Sequence, residues 1–87
     1  MTKICIADSL PVVTKGLQAY FQGNSKFEVT SVAKNLESLL SELNSKKINI
    51  LLLDVELNGL SSIRDIKSLL KDFPETKIVL FIKITYF

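Results

Sequence analysis

Two apolar runs in this chain, Ile4-Cys5-Ile6-Ala7 and Ile48-Asn49-Ile50-Leu51-Leu52-Leu53, each lead into an aspartate, Asp8 and Asp54. Each aspartate is followed by turn-forming residues and then by apolar residues at helical spacing. Runs of this length, rich in aliphatic and β-branched residues and alternating with helical patterns, read as buried parallel strands. Open parallel sheets form their sites beyond the carboxyl ends of the strands, where the strand order reverses. Two acids delivered to that edge are therefore candidates for a site.

The remaining pattern fills in the same architecture. Pro11 suits a first helical turn, where its missing donor is not needed, and Val13, Leu17, Tyr20 and Phe21 recur at helical spacing before Gly23-Asn24 supplies a stop. Phe27, Val29 and Val32-Ala33 mark a weaker second strand. Asn35 is a candidate N-cap for a helix striped by Leu36, Leu39, Leu40 and Leu43. Ser62 and Asp65 have the spacing of a capping box ahead of Ile63, Ile66, Leu69, Leu70 and Phe73, and Pro74 closes that helix. Lys77-Ile78-Val79-Leu80-Phe81-Ile82 is a fourth strand, which Lys83 to Phe87 would prolong. The order β-α-β-α-β-α-β with helix-length connections implies parallel strands and right-handed crossovers, hence a doubly wound α/β domain over residues 1–87. If the second strand lies outside the first, the order is 2-1-3-4. Asp8 and Asp54 then share one crevice.

Composition narrows the function. With 47% hydrophobic and 23% charged residues, three Gly and two Pro, the chain is globular. A formal charge of +2, from 11 basic and 9 acidic residues, is too small and too dispersed for a nucleic-acid or membrane surface. Cys5, the one cysteine, lies within the first apolar run and reads as a buried structural thiol in a reducing compartment. No apolar stretch approaches the ~18 residues of a membrane span, and the expectation is a soluble cytoplasmic protein. The chain has no histidine, which excludes imidazole-based catalysis.

Two carboxylates in one crevice repel unless a cation lies between them. Magnesium takes oxygen ligands, one or two of them carboxylates, and a carboxylate beside it can accept a phosphoryl group as an acyl phosphate. The alternative is that Asp8 and Asp54 only end strands and form turns. Ser9 reads as an N-cap or turn hydroxyl, Glu56 as a solvated loop residue with an available carbonyl, and Asn58-Gly59 as a turn.

The segment from Ile4 to Leu17, the segment Leu51-Leu52-Leu53-Asp54-Val55-Glu56-Leu57-Asn58-Gly59-Leu60, and Phe73-Pro74-Glu75-Thr76-Lys77-Ile78-Val79-Leu80 together resemble receiver domains of two-component response regulators. The likeness is to the branch that carries a helix-turn-helix output domain. It implies a flavodoxin-like fold reduced to about four strands, order 2-1-3-4, and three helices. It further implies that Asp54 is the phosphoacceptor, that Asp8, Asp54 and the Glu56 carbonyl bind Mg2+, and that a histidine kinase is the donor, with no catalysis beyond accepting phosphate.

The departures matter as well. Ser9 stands where the family has a second acid, which implies weaker magnesium binding. Asn58 replaces the turn proline, and Ile82 stands where the family has a phosphate-sensing threonine or serine. The family continues with a helix, a lysine-bearing fifth strand and a last helix, whereas this sequence stops at Phe87. Lys83 is the cation nearest to that place in the sequence, although the pattern does not bring it to the crevice. The fourth strand would then be an apolar edge inviting a homo-oligomer. Two other functions compete: a pseudo-receiver that pairs without phosphorylation, and an aspartate-nucleophile phosphohydrolase. The hydrolase is disfavoured because Glu56 stands in place of the second aspartate of an Asp-x-Asp signature.

Overall fold

Strand β1 (Thr2–Ala7) and strand β3 (Ile50–Asp54) pair in parallel at the middle of the sheet, with Ile4 opposite Ile50 and Ala7 opposite Leu53. The computed structural model describes residues 1–82. The proposed prolongation of the last strand through Lys83 to Phe87, and the position of Lys83 itself, lie outside the described residues. Outside β1 runs β2 (Phe27–Ala33), and outside β3 runs β4 (Lys77–Phe81), all parallel. The order is β2-β1-β3-β4. This is the flavodoxin-like doubly wound arrangement expected from the sequence.

Helices α1 (Pro11–Phe21), α2 (Leu36–Ser45) and α3 (Ile63–Asp72) form the crossovers. Their ends follow the expected local chemistry. Pro11 opens α1, and Gly23 takes the left-handed conformation after it with φ +77°. Asn35 and Ser38 make a reciprocal capping box on α2, as Ser62 and Asp65 do on α3. Asp65 also accepts hydrogen bonds from the backbone and hydroxyl of Ser61, which hold its carboxyl below the usual carboxylate range. Stabilisation from this group is therefore present above the ordinary aspartate pKa and is lost as pH falls through the lowered one.

One face of the sheet centre is fully buried, whereas on the other Ile4 and Ile6 are buried but Ile50 and Leu52 only partly so. Cys5, Ala7, Leu51 and Leu53 have no exposed surface and pack with Ala33, Leu39, Leu43, Ile48, Leu57 and Leu69. The apolar stripe proposed for α1 is corrected at one position: Tyr20 is 78% exposed, while Thr14 is buried and donates its hydroxyl to the Pro11 carbonyl. A threonine that bonds back into its own helix can be buried without a stranded polar group. Strand β2 carries an irregularity at Thr30, where Ile4 pairs with Val29 but Cys5 pairs with Ser31. The Thr30 carbonyl accepts from Lys46 Nζ at 3.3 Å.

Cys5 is the buried thiol expected from its place in the run. Burial pushes its pKa from 9.0 up to about 11, only partly offset by the Ser31 hydroxyl. A raised thiol pKa means that the folded state keeps its proton where the unfolded state loses it, so this contribution to stability declines as pH rises from 9 towards 11. In the folded protein at pH 8, Cys5 should resist alkylation by iodoacetamide and react promptly in denaturant, with the labelled fraction read by mass spectrometry. Leu53→Ala should lower the unfolding free energy by about 2–5 kcal/mol in urea titrations, because the site is enclosed on all sides.

Candidate functional site

Asp54 is the last residue of β3, and Asp8 directly follows β1. Since Ala7 is opposite Leu53, the two aspartates emerge side by side at the carboxyl edge, on strands whose spacing is about 4.8 Å. Both are buried, with 1% and 0% of their surface exposed. The chain makes the same local turn at each. Asp8 Oδ1 accepts from the Leu10 N–H at 2.8 Å, and Asp54 Oδ1 accepts from the Glu56 N–H at 3.1 Å. Both aspartates thus shape the turns that follow them. That does not exclude a site, because an ionised carboxylate has about four acceptor positions.

Two adjacent buried carboxylates carry a desolvation cost and a mutual repulsion that a cation relieves. The oxygen donors here suit Mg2+, which prefers carboxylates and carbonyls together with retained waters. The Glu56 side chain is exposed. Among the described residues, no group of three or more His, Cys, Asp or Glu side chains converges as a metal site. A cavity of about 210 Å³ lies at this edge, lined by Asp8, Ser9, Pro11, Thr14, Val32 and Lys34. A larger hollow of about 590 Å³ lies at the other end of the sheet, near Met1 and the end of α1, and contains none of the candidate residues.

The loop between β3 and α3 is fastened from several directions. Val55 donates its N–H to the Phe81 carbonyl at 3.2 Å, and Leu57 donates to the Asp54 carbonyl at 3.1 Å. Leu57 is 1% exposed and joins the core beneath the loop. The expectation of a solvated Glu56 and an Asn58-Gly59 turn gave Leu57 no role, although a lone leucine amid polar turn residues was the available signal. Asn58 accepts from the Leu36 N–H at 2.8 Å and forms an isolated bridge with Asn35. Gly59 follows with φ +93°, and a Cβ on it would stand 2.9 Å from the Leu36 Cβ.

Ser9 is not the N-cap of α1. That position is Leu10, which makes no side-chain cap, and the Ser9 hydroxyl turns instead toward two neighbouring loops. Ile82 follows β4 at the same edge and is 69% exposed, so no side-chain hydroxyl stands at that position.

This frame and its paired acids match a known sequence family: the profile of the response regulator receiver domain aligns with residues 4–83. The chain belongs to the response regulator receiver family. Receiver domains generally accept a phosphoryl group on aspartate and bind Mg2+ at that place. The sequence is 32% identical over 77 residues to the uncharacterized transcriptional regulatory protein YhcZ of Bacillus subtilis strain 168, an alignment covering 88% of this chain and 36% of that protein. Among solved structures, the non-phosphorylated receiver domain of the stress response regulator RcsB from Escherichia coli superposes with a TM-score of 0.86 at 22% identity, over 92% of this chain and 63% of that one. RcsB from Salmonella enterica serovar Typhimurium, bound to promoter rprA in the presence of a beryllium fluoride phosphomimetic, gives 0.89 at 20% identity, over 98% of this chain and 44% of that one. The MaeR response regulator bound to beryllium trifluoride gives 0.84 at 21% identity, over 99% and 70%. At such identities the structural likeness is one of fold. The receiver sequence spans 36% of the length of YhcZ and under half of that RcsB chain.

The fastening of the β3–α3 loop generates a test. Gly59→Ala should lower stability by about 1–3 kcal/mol, since alanine tolerates a positive φ poorly. Leu36 must also yield to the new methyl. Urea unfolding measures the loss, and amide exchange at residues 55–60 should rise with it.

Proposed function

We propose that this domain accepts a phosphoryl group on Asp54 from a histidine kinase, with Mg2+ held by the carboxylates of Asp8 and Asp54 and by the Glu56 carbonyl. The observation that supports this most directly is the burial of Asp8 and Asp54 side by side at the carboxyl edge of adjacent strands. In the transfer, an Asp54 carboxylate oxygen attacks the phosphorus of a phosphohistidine. The P–O bond forms as the P–N bond breaks, and the imidazole nitrogen leaves with the electron pair. The Glu56 N–H orients the Asp54 carboxylate through Oδ1. Bound magnesium supplies neutralisation of the charge gathered on the phosphoryl and carboxylate oxygens. Burial around Asp54 keeps water from the site and strengthens these interactions.

The chemistry ends at acceptance. Among the described residues no helix is long and apolar enough to cross a membrane. Direct contact with nucleic acid is not part of this reading.

A second reading rests on β4. Parallel sheets normally have both faces covered, yet Val79 and Leu80, which point to opposite faces, are 40% and 44% exposed, and Ile82 is 69% exposed. An apolar strand at a sheet edge favours addition of another strand. We propose that a second copy of this chain pairs there, giving a homo-oligomer whose formation does not require phosphate.

Incubation with a small acyl phosphate and Mg2+ should give acid-labile phosphate on the wild type. Asp54→Asn should abolish it, and chelation of Mg2+ should suppress it; retained incorporation in Asp54→Asn would place the acceptor elsewhere. In sedimentation experiments, the chain should form a dimer or larger assembly at micromolar concentration. Lysine at both Val79 and Leu80 should shift it toward monomer, whereas a folded wild-type monomer at high micromolar concentration would exclude pairing through β4.

A further inference from the structure

The Ser9 hydroxyl sits where three loops meet. Its oxygen accepts a hydrogen bond from the Asn58 N–H at 3.0 Å, and its proton is donated to the Lys34 carbonyl at 3.1 Å. One side chain thereby connects the β1–α1 loop to the loops that follow β2 and β3. Asn58 extends the connection by accepting from Leu36 N–H, and Gly59 lies directly against Leu36. Glu56 belongs to the loop so anchored, and Asp54 immediately precedes it at the end of β3.

From this geometry we infer that Ser9 is a positioning residue for the cation and phosphoryl site: it holds the Glu56–Asn58 backbone in place through Asn58 rather than touching the ion. The inference rests on the phosphoacceptor reading above and adds a residue to it.

The chemistry explains why serine stands here. A hydroxyl can donate and accept at once, which both contacts require. An ionised carboxylate could accept from Asn58 but would face the Lys34 carbonyl as a second acceptor. Alanine could make neither bond. The partner position is constrained in the same way, because a proline at residue 58 has no N–H to give. The identities of residues 9 and 58 are thus two halves of one contact. Weaker magnesium binding from the absent charge at position 9 is partly offset by a loop held ready for the ion.

The test is a Mg2+ titration of the full chain followed by 15N-resolved NMR, together with amide exchange at Asn58. Ser9→Ala and Asn58→Pro should each raise the half-saturating Mg2+ concentration about three- to tenfold, the range expected for one net hydrogen bond. The double variant should be no worse than either single one, and Ser9→Thr, which keeps the hydroxyl, should restore wild-type binding. A general loss of stability would lower the melting temperature without this pattern. Unchanged half-saturation in both single variants, or additive losses in the double, would overturn the proposal. If the wild type shows no Mg2+-dependent shifts, the metal-site reading fails, and the contact is judged by exchange alone. Asn58 protection that disappears in Ser9→Ala then supports the latch, and an unchanged exchange rate refutes it.

Discussion

The pairing of β1 with β3 is the constraint on which the rest of this domain depends. Ile4 to Ala7 lie against Ile50 to Leu53, residues far apart in sequence, and this ladder forms the centre of both the sheet and the core. The same register carries Asp8 and Asp54 out of the sheet together. Packing and chemistry are thus joined in one element: a one-residue slip would exchange the faces of every strand residue and also separate the two acids.

Around that edge, the loops are held by polar contacts more than by apolar area. Asx turns shape the chain after each aspartate, capping boxes begin α2 and α3, and Asn58 links the β3–α3 loop to Ser9 and Leu36. Leu57 adds a strong apolar anchor directly beneath the acceptor loop. Such an arrangement gives a firm backbone around the charged pair while leaving Glu56, Asn58 and Gly59 at the surface.

Much of this was legible before any fold was known. The Ile4–Ala7 and Ile48–Leu53 runs read as buried strands, the helix-length connections implied parallel pairing, and Asn35, Ser62 and Gly23 announced helix ends by their local chemistry. The partial errors have physical causes. Tyr20 has helical spacing but faces solvent, because periodicity identifies a stripe and not its width. Of the two roles open to Ser9, N-cap or turn hydroxyl, the cap is usual for serine before a helix, but its partners lie in loops remote along the chain.

What the sequence determined by itself was the set of elements, their parallel orientation and the presence of two aspartates at strand ends, since these follow from short-range periodicity, connection length and turn chemistry. Tertiary structure alone decided which loops share a rim. The Ser9–Asn58 hydrogen bond, the contact of Gly59 with Leu36 and the burial of Leu57 each join residues or layers that no local pattern relates. Their physical origin is the crossing of separate connections at one sheet edge, where unpaired backbone groups must find partners wherever the fold brings them.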